Sequence, residues 1–69
     1  MANSVYKIIE LVGTSATSWE DAAMTAVKKA SETLRNLRIA EVSEMDLVIK
    51  DGKVEGYRTK VKLSFKFED

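Results

Sequence analysis

The order of apolar and polar residues divides the chain into one segment of helical period flanked by extended ones. Residues 5–12, Val-Tyr-Lys-Ile-Ile-Glu-Leu-Val, are rich in β-branched and aromatic types and run up to Gly13, which predicts a strand. Its faces, Val5, Lys7, Ile9, Leu11 and Tyr6, Ile8, Glu10, Val12, both carry several apolar residues. A half-solvated strand keeps one face polar, so this one is expected to be covered on both sides. Small and hydroxylated residues follow at 13–18, a loop. Ser18 has the character of an N-cap, with Asp21 at the N3 position of a capping-box-like arrangement. Glu20 and Asp21 put negative charge where the helix dipole favours it.

From there Trp19, Ala23, Ala26, Val27, Ala30 and Leu34 recur at steps of three and four, predicting an amphipathic helix over 19–36. Lys28, Lys29, Glu32 and Arg35 lie off that stripe, and Lys28 with Glu32 is an i,i+4 pair. The stripe is mostly alanine, so the helix is expected to sit close on a sheet. Two more extended runs, 39–50 and 54–67, are separated by Asp51-Gly52, a strong signal for a type I′ hairpin turn. The last run alternates cleanly, with Tyr57, Thr59, Val61, Leu63, Phe65 and Phe67 on one face and Arg58, Lys60, Lys62, Ser64 and Lys66 on the other.

A two-residue turn sets the register. Ala40 then opposes Leu63 and Val42 opposes Val61 on the helix-covered face. Ile39, Glu41, Ser43 and Met45 oppose Ser64, Lys62, Lys60 and Arg58 on the other, with Glu41–Lys62 a favourable cross-strand pair. The same register puts Glu44 and Asp46 on the mostly apolar face, opposite Thr59 and Tyr57. A bulge would shift these pairs by one.

Composition narrows what such a β-α-β-β unit does. Sixty-nine residues make one small α+β domain over 1–69. A chain of that size buries only about 60% of its unfolded surface. Disulfides, metals or oligomers usually make up the deficit. There is no cysteine and no histidine, which excludes disulfides and thiolate sites and removes the commonest general base. Oligomerisation remains, with an oxygen-bound ion as a supplement. Eleven basic residues balance eleven acidic ones, so nucleic acid is not an expected partner. The opening MANSVYKIIELVG does not read as a signal peptide, and no apolar run reaches the roughly 20 residues that span a bilayer. A cytoplasmic protein with no membrane partner is the expectation. The three glycines are scattered, so no phosphate loop forms, and without histidine no Ser-His-acid triad exists. No enzyme is expected.

Three features carry candidate chemistry. Trp19, at the first helical turn, could stack on a planar ligand or anchor the helix on the sheet. Glu44 and Asp46, i,i+2 on one strand face, could hold a hard cation such as Ca²⁺ or Mg²⁺, above all if symmetry mates add oxygens. Alternatively, the strand overruns the helix there and the acids are solvated or paired with a neighbour's Lys or Arg. The stripe Arg58, Lys60, Lys62, Lys66 could attract an anion, or be a solvated face that discourages edge-to-edge aggregation.

As a whole the chain resembles the dodecin family. The likeness lies in Glu10–Ser15 (ELVGTS), Ser18–Ala23 (SWEDAA), Ala40–Val42 (AEV) and Tyr57–Phe65 (YRTKVKLSF), in that order across nearly the whole length. The resemblance implies a protomer whose three-stranded antiparallel sheet partly wraps one helix, assembled as a hollow homododecamer of cubic symmetry that sequesters flavins. Flavin-binding members place a tryptophan directly before the Ala-Glu-Val segment and a glutamine directly after the last strand's tyrosine. Here those positions hold Ile39 and Arg58. Isoleucine offers no aromatic face, and arginine donates hydrogen bonds but cannot accept them. The Ser-Trp-Glu helix opening and the Tyr57-Arg58 pair look similar to a branch of the family associated with calcium. The expectation is therefore a non-catalytic shell that binds or buffers a small ligand or ion, calcium first. Riboflavin or FMN in a modified pocket is the alternative, and a purely structural oligomer the third.

Overall fold

The β-α-β-β order forms as the periodicity requires. The computed structural model describes residues 3–67, with strands β1 (Tyr6–Ser15), β2 (Leu37–Lys50) and β3 (Lys53–Lys66) and helix α1 (Trp19–Ser31). The sheet is antiparallel in the order β1-β3-β2, so the last strand lies in the middle. Asp51 and Gly52 both take positive φ, 52° and 75°, as a type I′ turn demands.

The two largest boundary differences from the sequence expectation each have a physical reason. Gly13 does not end β1; it pairs with Thr59 inside the ladder and faces the helix. A Cβ there would lie 2.0 Å from the Ala22 carbonyl oxygen and 3.1 Å from the Ala26 Cβ, so the glycine is what lets α1 settle on the sheet. The helix stops at Ser31, not at 36. The Ser31 hydroxyl turns back to donate to the Lys28 carbonyl, and the Thr33 and Leu34 amides both converge on the Ala30 carbonyl. Asn36 then takes a left-handed conformation, φ 62°, and the Lys66 amide donates to its carbonyl, so the chain is delivered to the sheet.

At the helix start the Ser18 hydroxyl accepts from the Asp21 amide at 2.9 Å, as expected of the cap. The Asp21 carboxylate accepts from Ser15 Oγ at 2.6 Å, and Ser15 Oγ also accepts from the Thr17 amide at 3.0 Å, so the loop is tied by its hydroxyls. The ion pair on the helix surface is Lys29–Glu32 at 3.5 Å, one residue from the expected Lys28–Glu32.

The core is small and lies between α1, β1 and β3. Ala22, Ala26 and Ala30 form its helix side and Val61 and Leu63, both essentially inaccessible, its sheet side. Ala22 was outside the expected stripe, yet it is fully buried because the helix makes its closest approach at Gly13. No residue of β2 is fully buried, and Ile39, Val42, Met45, Leu47 and Ile49 stay exposed. The chain measures 52 × 20 × 14 Å with a radius of gyration of 14.3 Å; a compact fold of its length has about 11 Å. Its 5495 Å² of surface compares with about 4,300 Å² for a compact chain of its mass. Among the described residues no helix is long and apolar enough to cross a membrane.

Candidate functional site

The residues singled out in the sequence fall on two faces of the sheet, and a bulge decides which. At the ends of the hairpin the register is the one a two-residue turn sets: Lys50 opposes Lys53, and Ala40, Glu41 and Val42 oppose Leu63, Lys62 and Val61. Between them it slips by one residue, with irregularities at Val42/Glu44 and Val48/Ile49. Ser43 is the extra residue in β2, its hydroxyl donating to the Lys60 carbonyl at 3.2 Å. Glu44 therefore opposes Lys60 and Asp46 opposes Arg58, while Met45 and Leu47 oppose Thr59 and Tyr57. The expectation that Glu44 and Asp46 share the apolar helix face is corrected. Because the side-chain period of a strand is two, one extra residue moves both acids to the opposite face.

That outer face is a ladder of opposite charges. The Arg58 guanidinium donates through Nε and Nη2 to the two oxygens of Asp46, each at 2.7 Å. Lys60 Nζ lies 3.0 Å from a Glu44 oxygen. One rung further, Lys62 stands between Glu41 of β2 and Glu10 of β1. Hydrogen bonding to Arg58, then its charge, holds the Asp46 carboxyl below the ordinary carboxylate range and raises the arginine in return. Lys60 is raised by its hydrogen bond and charge interaction with Glu44, with a smaller contribution from Glu10. The expected basic stripe is real, but its upper half is neutralised in register by acids of β2. Lys66 lies at the far end of the strand, opposite Tyr6.

Calcium takes six to eight oxygen ligands. Among the described residues no three acidic side chains come together as a metal set, and Glu44 and Asp46 are each engaged by a cation. The described residues of one chain therefore assemble no acidic metal cluster. Ile39 and Arg58, expected from the resemblance to stand at flavin positions, share the outer face but do not meet. Ile39 opposes Ser64, six residues along β3 from Arg58, roughly 20 Å at strand spacing. A ring touching both would need a second copy of the chain.

On the helix face, Trp19 is an anchor. Its indole Nε1 donates to the Asp46 carbonyl at 3.0 Å, and its ring meets Tyr57 edge-on at a centroid distance of 5.2 Å. The buried Thr59 hydroxyl donates to the Trp19 carbonyl at 2.9 Å. Beside this anchor lies a groove of about 490 Å³ between α1 and β2, walled by Trp19, Ala23, Met24, Val42 and Met45. Sequence reasoning missed the Lys60–Glu44 rung and the role of Asp46, whose side chain meets Arg58 on one face while its carbonyl receives Trp19 on the other. A signal was present: moving Ser43 out of phase puts Val42, Met45 and Leu47 on the helix side and every acid of β2 opposite a base.

A family model described as Dodecin matches residues 5–68. A calcium dodecin from Mycobacterium tuberculosis is 44% identical over 63 residues, which cover 91% of this chain and 89% of that protein. Among solved structures, a dodecin from Streptomyces coelicolor superposes with a TM-score of 0.92 at 39% identity, covering all of this chain and 99% of the other. A second, described as the calcium-chelating immunodominant antigen calcium dodecin from M. tuberculosis with a novel calcium-binding site, gives a TM-score of 0.83 at 45% identity, covering 94% and 93%.

Proposed function

This chain belongs to the dodecin family, and from that premise we propose that it is the protomer of a closed homododecameric shell that binds or buffers a small ligand without catalysis, calcium being the ligand. The shell is supported by the overhanging strand β2, whose Val42, Met45 and Leu47 stay exposed on the helix face of the single chain. The excess surface, roughly 1,200 Å² over a compact chain of this mass, is in the range that stable interfaces bury. The lack of histidine and cysteine supports a binding role over a catalytic one.

The observation that carries the ligand is the likeness, over nine-tenths of both chains, to a protein named calcium dodecin. Glu44 and Asp46 are the proposed ligands from each chain, with further oxygens supplied by neighbouring copies, since calcium takes six to eight oxygen ligands. Calorimetric titration of calcium into the metal-stripped assembly tests this. Heat is expected from the unaltered protein and its loss from the Glu44→Gln/Asp46→Asn double variant; no heat from the unaltered protein would overturn it. Flavin sequestration is the weaker reading, because Ile39 provides no stacking face and the Arg58 fork is engaged by Asp46. Unchanged riboflavin emission on adding micromolar protein is the expected result.

A further inference from the structure

Charge is unevenly shared along the sheet. In its middle Arg58, Lys60 and Lys62 each oppose an acid of β2. At the end remote from the hairpin residues 5–9, 33–40 and 63–67 come side by side, Lys7 and Leu37 both pairing with Phe65 and Tyr6 with Lys66. These stretches carry Lys7, Arg35, Arg38 and Lys66 and no acid. In a chain whose eleven bases and eleven acids cancel, that leaves one end positive.

A cleft of about 370 Å³ opens at this end, walled by Lys7, Arg35, Asn36, Phe65, Lys66 and Phe67. The end of α1 at Ser31 leaves room for it. The chain then reaches the sheet at Asn36, whose carbonyl receives the Lys66 amide at 3.2 Å. Phe65 and Phe67 continue the strand face of Val61 and Leu63, yet Phe65 is only half-buried and Phe67 is 53% exposed. Lys7 shares their face, being paired with Phe65, whereas the Lys66 side chain alternates to the other face and stands at the rim. Among the described residues neither Lys7 nor Arg35 forms an ion pair.

We propose that this cleft binds a small organic phosphate of the nucleoside phosphate class, with the phosphate on Lys7 and Arg35 and the ring against Phe65 and Phe67. The guanidinium fork matches a phosphate in two-point contact, and the lysine adds a point charge. Lys66 adds to the same field, since charges within about 8 Å of one another act together at physiological salt. The phenylalanines offer apolar faces on which a planar ring stacks. The volume is within the range of small-molecule sites, about 300–1,000 Å³. The sign of the lining excludes a metal cation as its ligand. The cleft opens on the helix face, away from Ile39 and Arg58 on the outer one, so it is separate from the family's flavin positions and from Glu44 and Asp46.

The test is calorimetric titration of the intact assembly with ADP, pyrophosphate and adenosine, in phosphate-free and calcium-free buffer. The proteins compared are the unaltered one, Lys7→Gln/Arg35→Gln and Phe67→Ser, each checked for unchanged assembly mass. ADP should bind the unaltered protein, pyrophosphate more weakly, and adenosine not at all. The charge variant should weaken ADP by about tenfold or more, as loss of two exposed charged contacts predicts. Phe67→Ser should bring ADP down to the affinity of pyrophosphate. No heat with millimolar ADP, ADP binding that the charge variant leaves unchanged, or adenosine binding as tightly as ADP would each overturn the proposal. With calcium absent throughout, its failure leaves the calcium reading untouched, and a protein that takes no calcium leaves this site standing.

Discussion

Strands β2 and β3 are equally long, 14 residues each, and both carry regularly spaced apolar side chains, yet they have opposite fates. β3 lies between two neighbours and beneath the helix, and buries Thr59, Val61 and Leu63 completely. β2 is an edge strand on which the helix barely rests, and none of its residues is fully buried. The difference is one of position. A 13-residue helix rich in alanine, drawn onto β1 at Gly13, is too narrow and too far to one side to roof three strands. The apolar residues of β3 thus stabilise the protomer, whereas Ile39, Val42, Met45, Leu47 and Ile49 of β2 are left exposed by it.

That contrast can be broken most sharply at the glycine. Gly13→Ala forces a methyl group into the Ala22 carbonyl and should destabilise the protein by about 3 kcal/mol or more, read from chemical denaturation. If stability is retained, α1 is not held where the fold places it. Leu63→Ala should cost a similar or slightly smaller amount, about 2–4 kcal/mol, for a fully enclosed side chain of β3. Its counterpart is the pair Val42→Ser/Met45→Ser on β2, which should leave far-ultraviolet circular dichroism intact while shifting size-exclusion elution toward smaller species. An unchanged elution volume would show that the groove between α1 and β2 is not an interface between copies.

Smaller effects sharpen the comparison. Trp19→Phe keeps the ring beside Tyr57 but removes the indole hydrogen bond to the Asp46 carbonyl, the tie from α1 to β2, and should cost about 1 kcal/mol. The smallest effect belongs to the outer face. Asp46 is held below its ordinary value, so the Arg58–Asp46 pair contributes stability above the unfolded carboxylate pKa that is lost as pH falls through the lowered native one. Lys60, raised by Glu44, behaves in the opposite sense: its contribution is complete below the ordinary lysine range and fades as pH rises past its raised value. Thermal unfolding of Asp46→Asn followed across the acid range should show a slightly flatter dependence than the unaltered protein. An identical profile would mean that the exposed pair adds nothing measurable.

The elements were legible in the sequence because their signals are local. Ser18 and Asp21 mark a helix start, Asp51-Gly52 a two-residue turn, and the alternation from Tyr57 to Phe67 a strand with one buried face. The likeness to dodecins rests on the same short segments and holds over residues 5–68. The candidate site was half legible. Glu44, Asp46 and Arg58 could be named from their types, but Ser43 gives no local sign that it will be squeezed out of the ladder. Its displacement is settled by two long strands matching apolar with apolar and acid with base at once.

What the sequence determined by itself is therefore the β-α-β-β order, the turn and the helix cap, since each depends on residues within a few positions of one another. The tertiary structure alone decided three further things. It made Gly13 a point of contact instead of a strand end, because only a docked helix brings the Ala22 carbonyl there. It ended the helix at Ser31, where the chain has to turn toward the sheet. And through a single bulge it carried Glu44 and Asp46 from the apolar face to Lys60 and Arg58, because a strand's side chains alternate and one extra residue reverses every one that follows.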